Sequence, residues 1–412
     1  MSSGLTVAPR SIGSLIESRG ITAHFQPIVS ARQRSVMGLE ALARGIDGSG
    51  APLWAVTLFS MAAEASLTSA LERVCCRLAI ERFSELSRAR PELILFLNLG
   101  SWVSANPARF VAELNQFVER AHLSPTRIAI EILETESESL SQLVAVTDRL
   151  RNSGYLLALD DVGVGHSNLD RIALIRPDVV KVDRKLITRI EGDFFKQEAL
   201  NCLSSLCRKI GALVVAEGVE TGDEAIVALE LGADLLQGYF FAPASIDGRL
   251  ARDNGPVADI DLLAQSFKRH MMGKVERRRT QQRQLTMVMD SLLGRLAQAG
   301  GVEQFEALLE SASSDHADVE CVYVLDGSGT QITPTIVAKY FSGRAGVLFQ
   351  PAPRGADHSL KEYYYVPREA GLSRYTSEPY VSLASGHLCR TLSMSFQDRH
   401  EDPYLLCVDV LC

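Results

Sequence analysis

The chain lacks any run of about 18 apolar residues, the length a membrane-crossing helix needs, so no membrane insertion is expected. Its opening, MSSGLTVAPRSIGSLIESRG, lacks the apolar core of a signal peptide, which makes the cytoplasm the expected compartment. A basic excess is missing too. Lys and Arg number 42 against 50 Asp and Glu, a formal net charge of −8 across 412 residues. A nucleic-acid polymer is therefore not expected as a partner, because binding one needs a basic footprint. A local basic pocket for a small phosphate ligand stays open. The 8 cysteines (Cys75, Cys76, Cys202, Cys207, Cys321, Cys389, Cys407 and Cys412) contain no CxxC pair and no zinc spacing, so reduced thiols are expected. With 30 Gly and 15 Pro, the chain is neither collagen-like nor low-complexity. What remains is an ordinary globular composition, 46% hydrophobic and 22% charged, long enough for two or three domains or one large barrel.

Short apolar runs recur through the first 245 residues: HFQPIV (24–29), VMGLEAL (36–42), LILFLNL (93–99), IAIEIL (128–133), LLALDD (156–161), VVKVD (179–183), LVVAEG (213–218) and LLQGYF (235–240). Each has strand length and the composition of a strand buried on both faces. Helix-periodic stretches such as LTSALERVCCRLAIERFSEL lie between most of them. Eight strands with helical crossovers predict a (β/α)8 TIM-like barrel. One connection departs from that scheme. Only SARQRS separates the first two runs, too little for a parallel crossover, so the first strand should run antiparallel to the second.

Barrel chemistry sits at the C-terminal ends of the strands. Those ends carry Glu40, Asn98, Glu131, Asp160, Asp161, Lys181, Asp183, Glu217 and Gln237. Buried carboxylates are costly unless paired or bound to a cation. So many at one rim predict an all-oxygen ligand set, which suits Mg²⁺, Mn²⁺ or Ca²⁺ rather than zinc. Two such ions in one pocket suit phosphodiester hydrolysis.

GLEALARG (38–45) resembles the glutamate-alanine-leucine signature of the EAL domain, a family that hydrolyses cyclic di-GMP. FQPIV, FLNLG, IEILE, LDDVGVGHSNL, VVKVD, VVAEGVE and LLQGYFFAPA follow in the family's order, so the resemblance covers about residues 15–245. It implies a phosphodiesterase that makes linear 5′-pGpG. Mg²⁺ or Mn²⁺, two per site, would support turnover, and Ca²⁺ would inhibit. By the same resemblance, Glu40, Asn98, Glu131 and Asp160 look like ligands of the first metal, with Asp160 bridging. Asp161 and Glu217 would serve the second. Lys181 resembles the catalytic lysine, and either it or Glu217 would act as base. Gln237 would orient water. Gln26 and Arg44 would hold substrate, with support from Asp183. Glu134 would fix the loop after strand five. The chain departs from the family at Gly100, Leu133 and the 162–168 loop, where Val162, Val164, His166 and Asn168 replace Phe, Thr, Tyr and Ser. No departure removes a metal ligand.

After Pro243 the pattern changes. Residues 258–298 read as one long helix or two shorter ones, and 301–412 as α then mostly β, with a hairpin at Asp326-Gly327-Ser328-Gly329. GGVEQF (300–305) is a poor match to the GGDEF signature of diguanylate cyclases, with the wrong spacing and no metal-binding acid. The expected organisation is a barrel over 1–250, a helical linker over 251–300 and a regulatory unit over 301–412. That last unit weakly resembles PAS-like or Cache-like sensory domains, which take a small-molecule or protein signal. A homodimer is expected. The competing readings are a cyclic di-GMP receptor that scarcely cleaves and a protein-interaction module that uses no nucleotide.

Overall fold

The structure, a computed structural model, describes residues 11–18, 20–47, 50–100, 107–132, 140–163, 168–246, 257–312, 318–338 and 349–411. The chain divides into two compact units, Met1–Met272 and Gly273–Cys412.

The first unit is a barrel of β1 (Ile21–Ser30), β2 (Ser35–Ile46), β4 (Ile94–Leu99), β5 (Ile128–Ile132), β6 (Leu156–Val162), β7 (Val179–Val182), β8 (Leu213–Ala216) and β9 (Leu235–Leu236). The strand order runs β1-β9-β8-β7-β6-β5-β4-β2, and the β1–β2 pairing closes it. β3 (Pro52–Trp54) extends β2 outside the ring. Every expected strand is present. β1 is antiparallel to both β2 and β9, as the short first connection requires, and the other neighbours in the ring are parallel.

Side chains alternate along a strand, so each barrel strand sends every second residue inward. One inward layer is apolar: Ile28, Phe96, Ala129, Ala158, Val179, Val215 and Leu235 pack together. Gly38 fills the same layer on β2, where a Cβ would lie 2.6 Å from the Phe96 ring. The absent side chain is what lets Phe96 plug the barrel. Two residues toward the rim, the next inward layer is polar all round: Gln26, Glu40, Asn98, Glu131, Asp160, Lys181, Glu217 and Gln237. The outward residues, such as Leu39, Leu97, Ile130, Leu157, Val180 and Val214, join the core beneath the helices. One of those helices, Gly222–Glu230, starts on a capping box in which the Thr221 side chain and Glu224 exchange bonds with each other's backbone.

The second unit is a six-stranded antiparallel sheet in the order β11-β10-β15-β14-β12, with β13 also on β14. Its strands are β10 (Val319–Asp326), β11 (Ile336–Val337), β12 (Arg374–Thr376), β13 (Tyr380–Val381), β14 (Leu388–Gln397) and β15 (Pro403–Leu411). The β10–β11 hairpin turns where Asp326 accepts the backbone N–H groups of Ser328 and Thr330, as expected from Asp-Gly-Ser-Gly. One sheet face packs on Leu292, Leu296, Phe305 and Leu309. The opposite face, which carries Tyr323, packs on Tyr363 and Tyr364. The long helix expected near 258–298 is the single helix Val257–Leu296, with residues in both units. No described helix is long and apolar enough to cross a membrane.

Candidate active site

The polar layer converges on Lys181, which is 1% exposed. Its Nζ lies 2.6 Å from Glu131 Oε1, 2.6 Å from Glu217 Oε1, 3.3 Å from Asp160 Oδ1 and 3.4 Å from Glu40 Oε2. Four strands thus bring four carboxylates to one ammonium. Amides complete the ring. Asn98 donates to Glu40 Oε1 at 2.8 Å, and Gln237 donates to Glu40 Oε2 at 2.6 Å and to Gln26 Oε1 at 3.3 Å. Gln26 in turn donates to the Ala242 carbonyl at 3.2 Å.

Asp161 joins this group through a break in the strand pattern. Consecutive strand residues face opposite ways, yet Asp160 and Asp161 line the same cavities. The register of β6 on β7 shifts between Leu159 and Val162, and Asp161 takes the left-handed φ of +54°. Gly163 follows at φ +107°, where a Cβ would collide with Leu186. The bulge turns the second carboxylate back toward the first.

Burial and crowding set the charge state. Burial holds Glu131 well above the usual carboxylate range, reinforced by Glu40 and Asp160 against the pull of Lys181. Burial also pushes Glu217 up to about 8, again against Lys181. Asp161 is raised by burial and by Asp160 and Asp183. Burial alone would raise Glu40, but Lys181 and the amides of Gln237 and Asn98 outweigh it and hold the group below its ordinary value. Burial alone would lower Lys181, but Glu131, Glu217, Glu40 and Asp160 hold it well above the ordinary lysine range. The site carries more acid than a single ammonium can neutralise.

That excess fits divalent cations. Asp160, Asp161 and Glu217 can each bring an oxygen within 4.8 Å of the others. Among the described residues, Glu131 Oε2 is buried with no hydrogen-bond partner, and Glu131 Oε1 and Asp160 Oδ1 face the Lys181 ammonium. The donors are all oxygen, the preference of Mg²⁺, Mn²⁺ and Ca²⁺.

Two cavities meet at Glu40, Leu42, Asp160 and Asp161. One of about 350 Å³ also takes in Lys181, Glu217 and Tyr239. The other, about 420 Å³, runs under β2 past Phe59, Glu72 and Cys75. Asp183 lines the first cavity and caps the helix Arg184–Ile187 by accepting the Lys185 N–H at 2.8 Å. Arg44 stands apart from the cluster. It lies farther along β2, its Nη1 donating to the Ala43 carbonyl at 2.8 Å and its guanidinium 4.6 Å from the Trp54 ring centroid. Glu134 lies outside the described residues. Two neighbours were not evident from the sequence. Glu72 Oε1 lies where a Cβ at position 100 would fall, so a side chain there would displace the Glu72 carboxylate. Tyr239, 69% exposed, stands at the cavity mouth.

Comparison with known proteins agrees with this architecture. The model of the EAL domain family matches residues 10–244. The probable cyclic di-GMP phosphodiesterase PdeB of Escherichia coli (strain K12) is 27% identical over 229 residues, 56% of this chain and 43% of PdeB. The chain spans less than half the length of such Escherichia coli relatives. The EAL-domain protein YkuI of Bacillus subtilis (strain 168) is 23% identical over 391 residues, 92% of each chain. The crystal structure of YkuI with substrate c-di-GMP and calcium superposes with a TM-score of 0.77 at 22% identity, covering 98% of this chain and 99% of that one. BlrP1 of Klebsiella pneumoniae, in a calcium/cyclic di-GMP complex, gives a TM-score of 0.51 at 29% identity over 56% of this chain and 57% of its own. With a family model matched across more than half its length and that family's barrel in place, the chain belongs to the EAL-domain family.

Proposed function

We propose that the protein hydrolyses cyclic di-GMP to linear 5′-pGpG at the polar layer of the barrel. The observation that carries the reading is the Lys181 ammonium inside four carboxylates, with Asp161 as a fifth acid on the same cavities. The relatives' names and the calcium/cyclic di-GMP complex of BlrP1 support the same substrate.

A 5′-phosphate product means that water attacks phosphorus and the P–O3′ bond breaks. Glu40, Asn98, Glu131 and Asp160 would hold one divalent cation, and Asp161 and Glu217 would serve a second. Such a pair supplies positive charge to the phosphodiester and acidifies the attacking water. Lys181, whose ammonium lies among four carboxylates, would donate toward the water and the phosphate oxygens. Glu217 lines the same cavity and would receive the water's proton. Gln237 fixes the Glu40 carboxylate by its 2.6 Å bond. Gln26 and Arg44 would hold the substrate, Gln26 beside the acidic cluster and Arg44 farther along β2. Mg²⁺ or Mn²⁺ supports turnover. Ca²⁺, a larger ion with looser coordination preferences, would inhibit.

The second unit acts as the regulatory part of a homodimer. The full-length likeness to YkuI supports a shared two-unit design. Unchanged turnover and oligomer size in a chain ending at Met272 would refute that role.

The decisive experiment is cyclic di-GMP turnover with Mg²⁺ or Mn²⁺, read by chromatography beside Glu40→Ala and Lys181→Ala. A pGpG peak that both substitutions abolish is expected. Tight binding without product would make the protein a receptor, and neither binding nor product would overturn the nucleotide reading.

A further inference from the structure

Trp54 is 59% exposed in a chain that has only 2 tryptophans. It is the last residue of β3, a strand of 3 residues that pairs with the overhanging end of β2. The register sets Trp54 directly opposite Arg44, which sits directly opposite Thr22 on β1. Cross-strand partners share a face, so Trp54, Arg44 and Thr22 form a row on the face that also carries Glu40. Four residues of strand separate Arg44 from Glu40, roughly 13 Å at about 3.3 Å per residue. That span is comparable to the reach from a phosphodiester to the far edge of its own purine. The Arg44 guanidinium covers one side of the indole at 4.6 Å, and the Tyr239 phenol lies near enough to act on Arg44 electrostatically. An isolated surface tryptophan gains nothing from facing water. This one is braced by a cation and its remaining surface is open.

We propose that Trp54 is a substrate-positioning residue whose open indole face stacks on one guanine base of the cyclic dinucleotide, while Arg44 holds the indole from the other side. The inference rests on the cyclic di-GMP reading and adds a base platform to it. Stacking of a base on an aromatic side chain is worth about 1–3 kcal/mol, roughly 5- to 150-fold in affinity. The interaction is present before and during bond cleavage, so it belongs to uniform binding.

The test uses the full chain carrying Trp102→Phe, which leaves Trp54 as the sole indole. Cyclic di-GMP is titrated in Ca²⁺ while Trp54 emission and calorimetric heat are followed together. Emission is expected to be quenched along the same isotherm as the heat. In Mg²⁺ or Mn²⁺, Trp54→Ala is expected to raise KM about tenfold with kcat within about twofold, and Trp54→Phe to restore most of the loss. Calorimetric binding with unchanged Trp54 emission, or an unchanged KM in Trp54→Ala, would overturn the platform and leave the phosphodiesterase reading intact. No calorimetric binding would overturn the substrate reading, and the platform with it.

Discussion

Freed of metal, the barrel is expected to lose stability as pH rises from 5 to 8, the opposite of an ordinary protein leaving its acid-unfolding range. The cause is the polar layer. Glu217 moves from 4.5 in the open chain to about 8 in the fold, and Glu131 and Asp161 move the same way. A carboxyl raised by folding binds its proton more tightly in the native state. Its stabilising contribution is full below the unfolded value and is lost as pH climbs through the folded one. Glu40 shifts the other way, but its effect falls below pH 4.5, outside the window. At about 1.4 kcal/mol per pH unit, the Glu217 shift alone sets a ceiling of ~5 kcal/mol. Water entry and side-chain relaxation around a group 17% exposed reduce this to roughly 2–4 kcal/mol. Trp54 lies in the first unit, so its emission, followed in a Trp102→Phe background, reports barrel unfolding. Urea titrations in EDTA at pH 5, 6.5 and 8 should give a falling midpoint for the wild type and a flatter profile for Glu217→Gln. Saturating Mg²⁺ or Mn²⁺ should abolish the fall, because ligation displaces the proton. A flat or rising wild-type profile in EDTA, or an undiminished slope in Glu217→Gln, would refute the reasoning.

Gly163→Ala places a Cβ on a left-handed backbone against Leu186, and is expected to cost about 1–3 kcal/mol in urea unfolding and to lower kcat by misplacing Asp161. Phe305→Ala removes a fully buried ring that meets Phe396 and Tyr404 edge to face at 5.6 and 5.1 Å. Its expected cost is about 3–5 kcal/mol, seen as lost amide protection in β10, β14 and β15 with tryptophan emission unchanged. Burial pushes Asp409 up to about 6, against hydrogen bonds from Thr391 and Cys321. The second unit should therefore lose on the order of 2–3 kcal/mol between pH 4 and 7, and Asp409→Asn should remove that dependence in circular-dichroism melts.

The barrel was legible because its strands carry two signals at once. Each run is apolar enough to be buried on both faces, and seven of the eight carry polar residues near their C-terminal ends that packing alone cannot explain. The six-residue SARQRS connection was enough to orient β1. Other features have no local signature. β3 lies in GSGAPLW, which shows no alternation, and it forms only because β2 overhangs the ring. The helix Glu362–Glu369 contains Pro367, which counts against a helix, and is short enough to forgo a bond in its last turn. Alternation would send Asp160 and Asp161 to opposite faces, and only the register shift between β6 and β7 reveals otherwise. The exchange of a side chain at position 100 for the Glu72 carboxylate is a contact between distant segments, invisible in either one.

The closure of the barrel has a consequence for how it breathes. β1 and β9 share a single register pair, Val29 with Leu236. Beyond it the seam is held by the two Phe25–Ser245 backbone bonds, 2.9 and 3.0 Å, and by Gln237 reaching to Gln26 and Glu40. The thinnest ladder in the ring thus runs through the polar layer. Opening the seam separates Gln237 from Gln26 and Glu40. Barrel closure and assembly of the polar layer are then one equilibrium, and whatever ligates that layer also zips the cylinder shut. Amide exchange along β1 and β9 becomes a gauge of site occupancy, readable without a single turnover.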